Sequence, residues 1–246
     1  MTVLVSGAGA GVGRGIAATL ASDGAHVVVA TRSSNGQDAV RDLRAEGGSA
    51  TWVQCDVTDS ESVCAAVGLA LATTGRLDGV VHNATSNTSS RPARLEDARD
   101  DWPEHCAVSL TGAFHFATHA FSALQARGGA LVVMTSPAGI EGSATLPLYA
   151  TVKGALRGFT KSLAREWAPH GITVNAVSPL AYSPAMAAAI EAEPAMESRM
   201  ARRIPMGRIG DPASDVGTAV AFLMSPGARY ITGQTIGVDG GHFTGL

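Results

Sequence analysis

Seven short apolar runs punctuate the chain: Val3-Leu4-Val5, Val27-Val28-Val29, Trp52-Val53, Gly79-Val80-Val81, Leu131-Val132-Val133, Ile172-Thr173-Val174 and Thr235-Ile236-Gly237-Val238. Their apolar positions are mostly continuous rather than alternating, the mark of strands covered on both faces. Between them, apolar positions recur with a helical period over residues 12–22, 37–46, 60–73, a long stretch near 100–126, 149–167 and 212–224. Strands alternating with crossover-length helices predict a parallel sheet, and the right-handedness of such crossovers makes it doubly wound, with about seven strands. Residues 183–208 break the rhythm. They are rich in Ala, Met, Glu and Arg, are interrupted by Pro184, Pro194 and Pro205, and read as a helical flap. No repeat, low-complexity tract or linker divides the chain, so residues 1–246 are expected to form a single α/β domain.

Composition narrows the function. Hydrophobic residues at 46% against 16% charged supply enough apolar surface for a sheet buried on both sides. The net charge of -3 provides no basic field for nucleic acid or an anionic membrane, which leaves small-molecule chemistry. Cys55, Cys64 and Cys106 are odd in number and form no C-x-x-C, so neither a disulfide framework nor a zinc knuckle is encoded. Met1-Thr2 runs straight into strand one without a basic leader, and no span approaches the roughly 20 apolar residues of a membrane helix. A cytoplasmic protein is expected.

The first strand runs into Ser6-Gly7-Ala8-Gly9-Ala10-Gly11-Val12-Gly13, after which a helix opens. Glycines in such a turn allow close backbone approach to a pyrophosphate, which then rests on unsatisfied helix N–H groups. With its place in a βαβ unit, the turn predicts a single-domain Rossmann fold that binds a dinucleotide. Thr31-Arg32 ends the second strand, where an acid would bind a ribose 2′-hydroxyl. Arg32 instead offers a planar fork for a 2′-phosphate, or is a solvated loop charge. Asp56, ahead of Val57, is placed for an adenine amino contact, although capping near Asp59-Ser60 explains the local sequence equally well.

Tyr149 and Lys153, four residues apart, share a helix face, so the ammonium approaches the phenol. A nearby cation favours phenolate and brings the phenol towards neutral-range acid/base work. Ser136, leaving the fifth strand, is placed to hydrogen-bond a substrate oxygen.

With these residues in order, the chain resembles the short-chain dehydrogenase/reductase family over essentially its whole length, and in particular its 3-oxoacyl-thioester reductases. The Ser6 to Gly13 turn is similar to T-G-x-x-x-G-x-G, Asp56-Val57 to the adenine-contacting D-V pair, and His82-Asn83-Ala84-Thr85 to N-N-A-G. Ser136, Tyr149 and Lys153 match the family's Ser and Y-x-x-x-K. The resemblance implies a nicotinamide cofactor, NADP(H) with NAD(H) as the alternative, held by Gly7, Gly9, Ala10, Gly11, Val12, Gly13, Arg32, Asp56, Val57, Asn83, Tyr149, Lys153, Pro179 and Tyr182. Lys153 would also hold the nicotinamide ribose hydroxyls, and the backbone near Tyr182 the carboxamide. Residues 172–179 resemble the stretch leading to the nicotinamide, and residues 233–241 a C-terminal strand that in this family often lies near a tetramer interface. A carbonyl or alcohol substrate, including acyl thioesters, and a homotetramer or dimer follow as expectations.

Three departures stand out. Ser109 replaces the family's Asn in Val108-Ser109-Leu110-Thr111-Gly112, where that Asn supports a water linking Lys to solvent. Its shorter side chain is expected not to distort the helix as Asn does, so Lys153 reaches solvent by another route. His82 and Thr85 alter N-N-A-G, and Leu180 follows Pro179 in place of Gly. They motivate a second reading, a nucleotide-binding structural or regulatory protein that keeps the fold without turnover. His115 and His119 read as helix packing rather than metal ligands. Arg199, Arg202, Arg203 and Arg208 read as a solvated face rather than a site for a phosphorylated carrier.

Overall fold

In the computed structural model, which describes residues 1–244, the seven apolar runs fall on one sheet. The first half runs β1 (Thr2–Ser6), α1 (Gly11–Ser22), β2 (His26–Thr31), α2 (Asn35–Ala45), β3 (Ser49–Gln54), α3 (Ser60–Thr74) and β4 (Gly79–His82). Next, α4 (Trp102–His105), a π-helical turn (Cys106–Thr111) and α5 (Gly112–Gln125) make one continuous helical run ahead of β5 (Ala130–Met134). The short α6 (Ala138–Glu141) and long α7 (Pro147–Trp167) precede β6 (Thr173–Pro179). After it come α8 (Pro184–Ala192), α9 (Ala195–Ala201), a second π-helical turn (Pro212–Gly217), α10 (Thr218–Met224) and β7 (Thr235–Val238).

The strands lie in the order β3-β2-β1-β4-β5-β6-β7, each pair parallel. Chain direction across the sheet reverses between β1 and β4, which opens a crevice at their carboxyl ends. One face carries Ile16, Leu20, Leu43, Val220 and Leu223; the other carries Val63, Phe116, Leu124, Leu156 and Trp167. Full burial of each such side chain contributes about 1.5–3 kcal/mol. This rigid sheet fixes the ends of β1, β4 and β5 relative to one another, which is what a site built on them requires.

The first and last parts of the chain meet closely. A Cβ on Gly15 would lie 2.4 Å from the backbone of Pro212, and one on Gly217 would lie 2.2 Å from Thr19 Oγ1. Thr19 Oγ1 in turn donates to the Ala213 carbonyl at 2.8 Å. Only glycine on both sides lets α1 and the second π-helical turn approach so near.

The expected elements need local revision. Residues 212–224 divide into a π-helical turn and α10, and the 100–126 helix is interrupted at Cys106–Thr111. The flap is two helices, with Ser183 capping α8 by accepting from the Met186 N–H at 3.2 Å and Pro194 standing at the cap of α9. Helix α6 was not foreseen, since four residues give no periodic signal. No helix among the described residues is long and apolar enough to cross a membrane.

Candidate active site

The glycine turn sits at the reversal point. Gly7 (φ 65°) and Gly11 (φ 55°) take the left-handed conformation that disfavours side chains. A Cβ on Gly13 would lie 2.4 Å from both the Gly7 carbonyl and Asn83 Nδ2. The N-terminus of α1 has no side-chain cap, since Ala10 offers none, and no acid in its first turn. Free N–H groups beside a turn that admits no Cβ make a cradle for a phosphate. Its far wall is pinned by Ser6, whose Oγ accepts from the N–H groups of Asn83 (3.0 Å) and Ala84 (3.2 Å), while Asn83 Nδ2 donates to Gly7 O at 3.0 Å. Ser6 thus ties β1 to the end of β4. From the flap, Pro184 packs against Gly11, 2.8 Å from where a Cβ would stand.

Along the neighbouring edge, Arg32 is exposed and lies outside every ion pair found among the described residues. Thr31 is buried and accepts from Trp52 Nε1 at 2.8 Å, so of the pair only Arg32 is exposed to solvent. Asp56 accepts from the Thr58 N–H and hydroxyl at 2.9 and 2.7 Å. Burial raises its pKa, but those bonds and the charge of Arg32 outweigh it, and the carboxyl is held below its ordinary value. Asp59 caps α3 by accepting from the Glu61 N–H at 3.0 Å, so capping and a free Asp56 oxygen coexist. Val57 is buried against Gly112.

Ser136, Tyr149 and Lys153 converge where β5 ends and α7 begins. Lys153 is 3% exposed; its Nζ donates to the Met134 carbonyl at 2.7 Å and stands 5.5 Å from the centre of the Tyr149 ring. Burial depresses the ammonium to a pKa of about 8. The Tyr149 phenol goes the other way: burial raises it and the hydroxyl of Ser136 partly counters. The expected lowering by Lys153 is therefore not the dominant influence, because a dry phenol loses more from desolvation than this ammonium returns.

Pro179 ends β6. The Tyr182 N–H is engaged by the Gly210 carbonyl at 3.0 Å and its hydroxyl by Glu197 of the flap, while both backbone polar groups of Leu180 pair with Val238 and Gly210. Two arginines of the flap region are also partnered, Arg199 with Glu193 and Arg208 with Asp215, while Arg202 and Arg203 are exposed. His115 faces the Val57 carbonyl at 3.0 Å and His119 the Ser60 hydroxyl at 2.9 Å.

Ser109 overturns one expectation, for the helix is distorted around it all the same: Cys106–Thr111 is π-helical. The support comes from His82. Its Nε2 donates to the Ser109 carbonyl at 3.1 Å, which leaves Nδ1 to accept from Ser6 Oγ at 3.2 Å. Burial, then the charge of Lys153, lower His82 to about 3, so the ring is neutral. Gly112 makes room for it, since a Cβ there would lie 3.0 Å from His82 Cε1. The two departures form one contact. Sequence reasoning noticed both residues without connecting them and passed over His105, whose spacing of four from Ser109 was the available signal.

Residues 7–242 match the family described as Enoyl-(Acyl carrier protein) reductase. A cis-4-hydroxycyclohexanecarboxylate dehydrogenase of Sinomonas cyclohexanicum is 36% identical over 240 residues, 97% of this chain and 95% of that protein. The 3-ketoacyl-(acyl-carrier-protein) reductase from Brucella melitensis, solved with NADH, matches with TM-score 0.87 and 30% identity, covering 98% of this chain and 97% of that one. A protein of Beutenbergia cavernae, solved with NADP at low occupancy, matches with TM-score 0.87 and 35% identity over 98% and 96% of the two chains.

Proposed function

Because the chain belongs to the short-chain dehydrogenase/reductase family and is an NAD(P)-dependent oxidoreductase, we propose that it interconverts a ketone and a secondary alcohol with Tyr149 as acid/base, and that it prefers NADP(H). The observation carrying this reading is the convergence of Ser136, Tyr149 and Lys153 beside a glycine turn that admits no Cβ. The residues fit the dinucleotide: Gly7 to Gly13 cradle its pyrophosphate on α1, Asp56 and Val57 receive the adenine, and Arg32 meets a 2′-phosphate. Asn83, Pro179, Lys153 and the backbone around Tyr182 line the nicotinamide end. When bound, NAD(P)H supplies the hydride. Ser136 holds the substrate oxygen, Tyr149 Oη gives it a proton, and Lys153 keeps its positive charge beneath the phenol. Residues 183–208 close over the substrate as part of the single domain.

The substrate class is a ketone or a 3-oxoacyl thioester, as the names of the relatives suggest. Phe114, Met206 and Phe222, exposed at 58%, 73% and 48%, are apolar positions suited to subunit contacts in a homotetramer or dimer. Three free cysteines suit a reducing, cytoplasmic setting.

Tyr149→Phe should lower kcat by at least about 10²-fold with cofactor affinity nearly unchanged, since it removes the proton donor and keeps the ring. Rates of NADPH oxidation with a panel of ketones and acyl thioesters test it, and near wild-type kcat would refute the assignment. Reduction should also slow as pH rises through about 8, where Lys153 loses its charge.

A further inference from the structure

His105 and Ser109 lie four residues apart on one helical run and are 3% and 0% exposed. That spacing places them on one face, and the charge of Lys153 is felt at His105. Each carries a buried polar atom without a protein partner among the described residues, Nδ1 of His105 and Oγ of Ser109. An unpaired buried donor or acceptor costs about 1–3 kcal/mol. Two of them one turn apart, on a helical run packed against α7, which carries the catalytic lysine, call for a reason other than packing. The far side of His105 is connected: Nε2 meets Thr88 Oγ1 at 3.2 Å, and Thr88 Oγ1 meets Ser86 Oγ at 2.9 Å. His105 and Thr88 line a surface cleft together with Arg91, Asp101, Thr145 and Tyr149.

From this geometry we infer that His105 is the proton-transfer residue of this enzyme, passing protons between the cleft at Thr88 and, by way of Ser109, the ammonium of Lys153. The inference rests on the reading of Tyr149 as the acid. Reduction consumes one hydride, from NAD(P)H, and one proton, from Tyr149 Oη, which is left as phenolate. Lys153 Nζ returns a proton to Tyr149 and is itself recharged through Ser109 Oγ and one bridging water. His105 gives up the proton on Nδ1, takes another at Nε2 from solvent through Thr88, and is reset by a half-turn of its ring that brings the protonated nitrogen to the Ser109 side, so one solvent proton enters for each carbonyl reduced. A neutral imidazole suits this, because it donates at one nitrogen and accepts at the other. Burial, the largest influence, and Lys153 hold the ring below its ordinary 6.5, against the opposing charges of Asp101 and Glu104. Asp101 is itself paired with Arg91 across the cleft.

The test compares His105→Ala and His105→Gln with the wild type, using a ketone the wild type reduces and saturating NAD(P)H. Both variants should lose about tenfold in kcat while KM and cofactor affinity stay within about twofold. The solvent deuterium isotope effect on kcat should rise in both, and free imidazole should restore turnover to His105→Ala, whose cavity admits it. Gln keeps a polar side chain in the buried position, so its thermal midpoint separates lost transfer from lost folding. A raised KM at unchanged kcat would make His105 a substrate-binding residue and overturn the inference, as would an unchanged kcat. A second arm needs no turnover: ¹⁵N spectra of the cofactor-free protein should show the His105 pKa rising in Lys153→Met, and no movement would sever the proposed link. Failure of the wild type to reduce any ketone would instead remove the Tyr149 reading, and it shows before any variant is made.

Discussion

Two polar clusters meet at the reversal point of the sheet, and their hydrogen bonding differs in kind. Around the glycine turn the side chains are held: Ser6 serves His82, Asn83 and Ala84 at once, and Asn83 closes back on Gly7. On the helical run ahead of α5, by contrast, Ser109 Oγ and His105 Nδ1 are buried without partners among the described residues, as is Ser178 Oγ near the end of β6. A surface that only has to receive a ligand gains from rigidity, because ordering is complete before binding. A surface that has to move protons needs groups whose bonds are not already saturated, and in a dry interior it bears the cost of keeping them.

The sharpest way to break this contrast is to loosen the rigid half. Gly13→Ala sets a Cβ against the Gly7 backbone at 2.4 Å. Such overpacking costs about 1–3 kcal/mol even where the structure yields, and yielding here means opening the phosphate cradle. Cofactor affinity, read by nucleotide fluorescence titration, should fall by up to roughly 150-fold, the upper end of that range at 10-fold per 1.4 kcal/mol. Gly158→Ala on α7, with nothing within 4 Å of its Cβ, is the control and should leave binding intact. Equal losses in both variants would erase the distinction.

A smaller effect belongs to Arg32, which lies outside the pinned network. Charge-assisted bonds to a 2′-phosphate contribute about 1.5–3 kcal/mol each, or roughly 10- to 100-fold in affinity. Arg32→Ala should lower kcat/KM for NADPH by that factor and spare NADH. An unchanged ratio would return Arg32 to a solvated loop charge.

The smallest expected effect lies at the seam between the clusters, on His82. Its folded pKa of about 3 lies below the ordinary 6.5, so the unfolded chain takes up a proton that the folded chain refuses. Stability therefore falls as pH drops below 6.5 towards 3, by up to about 1.4 kcal/mol per pH unit. For a chain of this size that is about 3–6 °C in Tm for each pH unit. His82→Asn removes the titration and should flatten Tm between pH 6.5 and 4.5. Parallel slopes in the two proteins would show that His82 is not the buried neutral group inferred here.

Sequence alone carried the sheet and the tight glycine turn, because continuous valine runs and glycines at a strand-to-helix turn reflect local and one-dimensional constraints. The spacing of Tyr149 and Lys153 on one helix face was legible for the same reason. What escaped was set by contacts between distant segments. The π-helical turn at Ser109 is supported by an imidazole from β4, and Thr31 is turned inward by Trp52 from β3, so neither is written in its own neighbourhood. The direction of the Tyr149 shift was likewise misjudged, since burial is a property of the folded surroundings and not of the Tyr-to-Lys spacing.

The glycine-to-glycine meeting of α1 with residues 212–217 also sets a timetable for synthesis. Thr19 and the Ala213 carbonyl it bonds are 194 residues apart. At about 5–20 residues per second, roughly 10–40 s separate their appearance on the ribosome. Throughout that interval the first helix has a groove with nothing to fill it. Nascent chains stalled before residue 212 should therefore be markedly better chaperone substrates than chains released after it.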